Sequence, residues 1–340
     1  MILFESPDLF AVGFMANWVK EKKTGRLATF VINRQINPTN ICVLSCRFCD
    51  YATKAGRPNA YVMKKEEILS KLTPDLKEIH IVSGLYREWT FDEYLDIVRV
   101  IKNAFPQIQI KAYTAVEIDF FARRENKSLL DILLLMKEAG VVCIPGGGAE
   151  VFSERVRKAL YPFKIGAPKW LEVHRQAHRL GLRSNSTLLY GHMETFRERV
   201  EHMLKLRELQ DETHGFLSFI PLAYQPGSTK VVARQTPVMD DLKTIAVSRL
   251  MLDNFDHIKA YWVTLGEETA SMALHFGADD IDGTIGEERI MHAALARSPL
   301  QMAREKLIYL IRETGLIPAE RDCLYNVVQE FAPEEEAVVL

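Results

Sequence analysis

The chain is 340 residues long, 48% apolar and 26% charged, which is the composition of a folded globular protein rather than a disordered one. Its 43 basic and 45 acidic residues leave a formal charge of −2 with the signs interspersed, so nothing argues for a nucleic-acid binder. No apolar run reaches membrane-spanning length, no basic region precedes an apolar one at the N-terminus as in a secretory signal, and five cysteines with three bunched make no disulfide framework. A reducing cytoplasm is the expected setting.

Taken in order, the chain alternates helical and extended patterns. A helix is expected over 8–23, with Leu9, Val12, Phe14, Met15, Trp18 and Val19 broadly on one side. A first strand follows over 29–37, then a helix over 64–72 and a strand over 78–83 that ends at Gly84. Thr90 and Glu93 form a capping box that opens a helix running to Phe105. The period-two stretch 108–116 reads as the third strand. A helix over 128–140 is closed by its glycine, and a strand follows over 141–145.

Gly146, Gly147 and Gly148 come next, read as pliable backbone that lets a ligand approach, or else as a plain turn. A helix over 170–180, a strand over 183–189 and a helix opened by a Thr195–Glu198 capping box continue the alternation. Strands are expected over 216–221 and 258–263 and a weak one over 279–285; Thr236 and Pro237 begin the helix between the first two. Helices fill the rest to about Gly315. Eight such units with no Pro- or Ser-rich linker predict one α/β domain, a TIM-type (β/α)8 barrel over 29–325. It carries an N-terminal helical segment over 1–28, a C-terminal helical extension and a tail over 326–340.

The loop 33–51, after the first strand, holds Cys42, Cys46 and Cys49 as C-x3-C-x2-C. Spacings this short let three thiolates wrap one inorganic centre, either zinc or an iron–sulfur cluster. Structural zinc needs a fourth protein ligand, and none stands nearby. A four-iron cluster held by three cysteines leaves one iron open to the amino and carboxylate groups of S-adenosylmethionine. Cys143 and Cys323 read as ordinary thiols.

An active site in such a barrel lies at the carboxyl ends of the strands. There stand Ser83 and Gly84, Thr114 and Glu117, the three glycines with Glu150, then Tyr190, Gly191, His192 and Glu194, Tyr224 and Gln225, Trp262 and Thr264, and the acidic run Asp279, Asp280, Asp282 with Thr284. No catalytic side chain is singled out among them.

The cysteine spacing, with Phe48 before the last cysteine and Tyr51 after it, resembles that of the radical S-adenosylmethionine enzymes. NPTNICVLSCRFC, KAYTAVEI, IPGGGAEVF, STLLYGHMET, GFLSFIPLAYQPG, IKAYWVTLG and GADDIDGTIGEE are similar to the menaquinone and deazaflavin branch of that family, over about residues 30–325. Within the branch the likeness is greatest to the aminofutalosine synthases. The enzymes that cyclise dehypoxanthine futalosine and the tyrosine-using subunit of deazaflavin synthase are the alternatives. Two loops depart from the branch: DYATKAGRPNAY after Cys49, and Tyr86-Arg87-Glu88 after Leu85.

The resemblance implies a 4Fe-4S cluster on Cys42, Cys46 and Cys49, and S-adenosylmethionine contacted by Tyr51, Ser83, Gly84, Glu117 and Glu150. It also implies addition of an adenosyl radical to 3-[(1-carboxyvinyl)oxy]benzoate, and an external electron donor of flavodoxin or ferredoxin type. A zinc-stabilised hydrolytic barrel and a non-catalytic scaffold are the readings from other classes.

Overall fold

The computed structural model describes residues 1–229 and 231–332. Its strands are β1 (Leu27–Val31), β2 (Asn33–Ile36), β3 (Glu78–Ile81), β4 (Gln109–Ala112), β5 (Val141–Ile144), β6 (Arg183–Tyr190), β7 (Phe216–Ala223), β8 (His257–Ile258), β9 (Asp280–Gly283), β10 (Ile317–Arg321) and β11 (Val327–Glu330). Strands β2 to β8 form one all-parallel sheet in chain order. Side chains alternate across it. Ile79, Ile81 and Ile110 are wholly buried beneath the surrounding helices, while His80 and Lys111 face inward.

The sheet curls until β9 bridges its edges. On one side Ala260 N donates to Asp280 O (2.8 Å) and Asp279 N to Ile258 O (3.0 Å). On the other, Gln35 N donates to Ile285 O at 2.7 Å, and β1 pairs with β9. The result is the expected TIM-type α/β architecture.

The expected first strand is two strands in different sheets. At Ile32 the chain bends, and the Ile32 carbonyl accepts from Lys77 N at 2.8 Å. β2 continues in the barrel, whereas β1 joins a second sheet in the order β11-β10-β1-β9. The C-terminal extension is thus helical only to Arg304–Arg312, then adds β10 parallel to β1 and β11 antiparallel to β10. Residues 333–340 of the expected tail lie outside the described residues.

The capping boxes at Thr90, Ser128 and Thr195 open helices Phe91–Ala104, Leu129–Ala139 and Phe196–Thr213. The third strand is shorter than its pattern indicates. Thr114 and Glu117 form a further capping box, so the chain turns helical at Ala115–Glu125. The seventh expected strand shrinks to β8, with Trp262–Leu265 a helical turn, and helix Glu154–Leu160 was not expected at all. Pro237 is itself the N-cap of Val238–Met251, and Thr236 instead donates to Asp241 at 2.5 Å.

Helix Leu9–Thr24 begins as expected, capped by Asp8, but turns a different face inward. Leu9, Val12, Gly13, Ala16 and Lys20 are buried, while Phe14 is 74% and Trp18 56% exposed. Small residues decide this, since a Cβ at Gly13 would stand 2.5 Å from the Phe276 ring. No helix among the described residues is long and apolar enough to cross a membrane.

Candidate active site

The barrel encloses a cavity of about 290 Å³ that runs from the loops after the strands down between them. Cys42, Cys46 and Cys49 all line it. Their loop leaves β2 and is fastened from several sides. Cys42 N donates to Thr53 O and Val43 N to Leu85 O, each at 3.0 Å. The Lys54 ammonium donates to the carbonyls of Cys42, Val43 and Leu44 at 2.7–3.1 Å. Tyr51 and Tyr61 hydroxyls lie 2.7 Å apart and reach the Thr39 and Asn37 carbonyls. The Tyr51 hydroxyl is therefore taken up by the protein, and its ring is what it offers the cavity.

Burial pushes the Cys46 thiol up to about 11, and burial raises Cys49 as well. Such thiols are poor nucleophiles on their own; a cationic centre that deprotonates them is what makes them useful. Among the described residues no three His, Cys, Asp or Glu side chains gather round a point that would hold a single ion. A cuboidal cluster takes each thiolate on a different iron, so this donor set fits it.

Lys164, which sequence reasoning passed over, stands behind the cysteines. It forms an ion pair with Glu150 and lies 5.2 Å from the Phe48 ring centre. Burial opposes its charge, but Glu150 and the neighbouring Cys46 prevail and raise it. Only its loop position after the unexpected helix Glu154–Leu160 puts it here, and no local motif signals that. Glu150 itself holds a left-handed backbone, φ 49°. Strain of that kind in a non-glycine residue persists only where the surroundings impose it.

Glu117 is buried and joins two strand ends. One carboxylate oxygen accepts from Ser83 N (2.9 Å), the other from Thr114 N and Oγ1 (2.7 Å each). Burial nevertheless outweighs these bonds and pushes its pKa up to about 7.

The glycines serve a purpose different from the one their sequence suggests. A Cβ at Gly84 would stand 2.3 Å from the Ile41 carbonyl, and one at Gly146 would stand 2.4 Å from Ser186 Cα. Both let backbone segments abut each other, so they are packing devices, although both also border the cavity.

Thr114, Glu117, Glu150, Tyr224, Gln225 and Asp282 line the cavity as expected of strand ends. Others do not. Tyr190 donates to Asp241 (2.8 Å), His192 sits 3.0 Å from the Leu189 carbonyl, and Trp262 donates to Gly283 O (3.0 Å) within the core. Asp279 pairs with Arg249 (2.6 Å) and His257 (2.5 Å) away from the cavity. Lys111, His80, Lys259 and Glu288 line it without having been singled out.

Comparison with known proteins agrees with this geometry. The model of the Radical SAM superfamily matches residues 36–206, and that of the CofH/MqnC C-terminal region matches residues 213–334. The aminodeoxyfutalosine synthase of Thermus thermophilus is 43% identical over 97% of this chain and 91% of that protein. The aminodeoxyfutalosine synthase of Streptomyces coelicolor is 40% identical over 98% and 91%. The 5-amino-6-(D-ribitylamino)uracil–L-tyrosine 4-hydroxyphenyl transferase of Methanopyrus kandleri is 35% identical over 95% and 90%. Methylornithine synthase PylB shares the fold at 16% identity, with a TM-score of 0.73 over 93% of this chain and 90% of that one.

Proposed function

The chain belongs to the radical SAM superfamily, and on that premise we propose that it is an aminodeoxyfutalosine synthase. It joins the adenosyl part of S-adenosylmethionine to 3-[(1-carboxyvinyl)oxy]benzoate with loss of one carboxyl group. What carries the reading is likeness to two aminodeoxyfutalosine synthases at 40–43% identity over nearly the whole chain, both matched regions included.

When bound, the 4Fe-4S cluster and S-adenosylmethionine supply reductive cleavage of the sulfonium and with it an adenosyl radical. The residues here do the rest. Cys42, Cys46 and Cys49 hold the cluster, and Lys54 keeps their loop in shape. Tyr51, Ser83, Gly84, Glu117 and Glu150 border the space for the methionine and ribose parts, with Lys164 fixing the Glu150 carboxylate. Leu44, Phe48, Leu85, Val116, Ile220 and Leu222 wall the cavity and keep water from the reacting carbons. Those walls have to hold the two reactants at a near-attack separation of roughly 3–3.5 Å. An external flavodoxin- or ferredoxin-type donor delivers the electron, in the cytoplasm.

Incubation with S-adenosylmethionine labelled in the adenosyl part, together with the enol ether, tests this. The label is expected in a new adenine-containing adduct. Label found only in free 5′-deoxyadenosine, with a futalosine-derived or tyrosine substrate consumed, would assign the chain to a sister activity.

A further inference from the structure

A barrel of this kind is ordinarily filled with branched apolar side chains. Here the level below the cysteines is polar. Gln35, His80 and Lys111 stand side by side on β2, β3 and β4, paired in register, and all three line the cavity. Lys259 and Asp282, from the ends of β8 and β9, complete that level.

Each ammonium is braced by carboxylate. Lys111 donates to Glu78 at 2.6 Å, its only partner among the described residues, so two of its three N–H groups remain unspent. Lys259 lies 3.0 Å from Asp282 and 3.6 Å from Asp280. Burial would lower both amines, but Glu78 and Asp282 respectively prevail and hold them charged. The level as a whole sets three cations, Lys111, Lys259 and Arg321, against three carboxylates, Glu78, Asp280 and Asp282, so what it offers the cavity is the unspent N–H groups of Lys111 rather than net charge. Glu78, Asp280 and Arg321 are not among the cavity-lining residues.

His80 is neutral, driven down to about 3 by burial and by Lys111. Its imidazole makes no hydrogen bond with any described residue and, with Nε2 closed off from water, it borders the cavity by the rest of its ring.

We propose that this floor anchors the ring carboxylate of an aryl substrate, with Lys111 as its charged partner and His80 as a neutral partner beside it. The inference rests on the functional reading above, in which the enol ether reacts at the level of the cysteines. Its benzoate end then points away from them, and the cavity continues toward the floor. A carboxylate placed there accepts from the unspent N–H groups of Lys111, whereas a hydrogen in its place leaves them unanswered.

The test compares 3-[(1-carboxyvinyl)oxy]benzoate with 2-phenoxyprop-2-enoate, the same compound without its ring carboxylate. The protein carries its cluster, and kcat/KM for labelled adduct and equilibrium binding are both read. Wild type is expected to favour the first roughly tenfold to hundredfold, as a charge-assisted hydrogen bond does. Replacing Lys111 alone would strand Glu78, so the double variant Glu78→Gln with Lys111→Gln is used. Its preference should fall toward unity through the benzoate alone, and His80→Leu should reduce it several-fold.

Equal wild-type treatment of the two compounds overturns the proposal, as does an unchanged preference in the folded double variant or equal weakening of both compounds. Should the double variant not fold, the wild-type ratio and His80→Leu decide on the same terms. Adduct from neither compound in wild type is a different failure, that of the functional reading itself.

Discussion

At the scale of single residues, the three cysteines and Glu117 make the sharpest statements. Replacing Cys42, Cys46 or Cys49 by Ala should abolish retention of iron and sulfide in anaerobically purified protein. Cys143→Ala and Cys323→Ala should keep both, because those thiols lie buried together with Leu217, apart from the cavity. Iron lost from a Cys143 or Cys323 variant would break the three-ligand assignment. For Glu117 the sign follows from burial. Its pKa rises from an ordinary 4.5 to about 7, so the folded chain binds this proton more tightly than the unfolded one. The stability it permits is complete below the ordinary value and declines as pH rises toward 7, by on the order of 3 kcal/mol. Glu117→Gln cannot titrate. The melting stability of wild type relative to this variant should therefore shrink from about pH 5 to about pH 8, and a difference constant with pH would contradict the burial argument.

Elements meet here through close backbone approaches, and glycines mark them. Gly84→Ala sets a methyl group 2.3 Å from the Ile41 carbonyl, which is backbone and cannot swing aside. The strand-end turn and the cysteine loop must then part, at a cost of about 1–3 kcal/mol and with reduced iron content. Gly56→Ala, in the same loop but facing open space, meets only the strain of a positive φ, about 1 kcal/mol, and should keep its iron. Iron content equal in the two variants would show that Gly84 does not set the loop. Helix Leu9–Thr24 offers a second contrast. Val12→Ala removes buried volume against the barrel and should cost about 2 kcal/mol, whereas Phe14→Ser on the outer face should stay within about 0.5 kcal/mol. The reverse order in chemical denaturation would mean that the helix docks by its aromatic face.

For the whole molecule, closure of the barrel depends on β9, and β9 carries buried charge. Arg321 reaches in from β10 to Asp280 at 2.5 Å, and Asp280 also accepts from Thr29 Oγ1 at 2.7 Å. Arg321→Leu leaves a carboxylate buried without its principal partner, which should cost about 3–5 kcal/mol in urea denaturation. Arg197→Ala breaks only an exposed helical pair with Glu201 and should cost no more than about 0.5 kcal/mol. Similar losses in both would remove the interior network as a determinant of closure.

The sequence by itself determined what depends on neighbours along the chain. The cysteine spacing, the capping boxes at Thr90 and Thr195 and the alternation of strand and helix all act within a few residues, and all are present. Only the tertiary structure decided what depends on partners far away in sequence. The carboxylate of Glu117, besides closing a local capping box with Thr114 inside the strand pattern of 108–116, also takes the Ser83 amide from another strand end, which no local pattern shows. The first strand divides at Ile32 because Lys77 claims its carbonyl and β10 draws β1 outward. Lys164 and Lys111 sit on unremarkable stretches. They become site residues because Glu150 and Glu78 hold them charged at positions that only the closed barrel brings to one cavity.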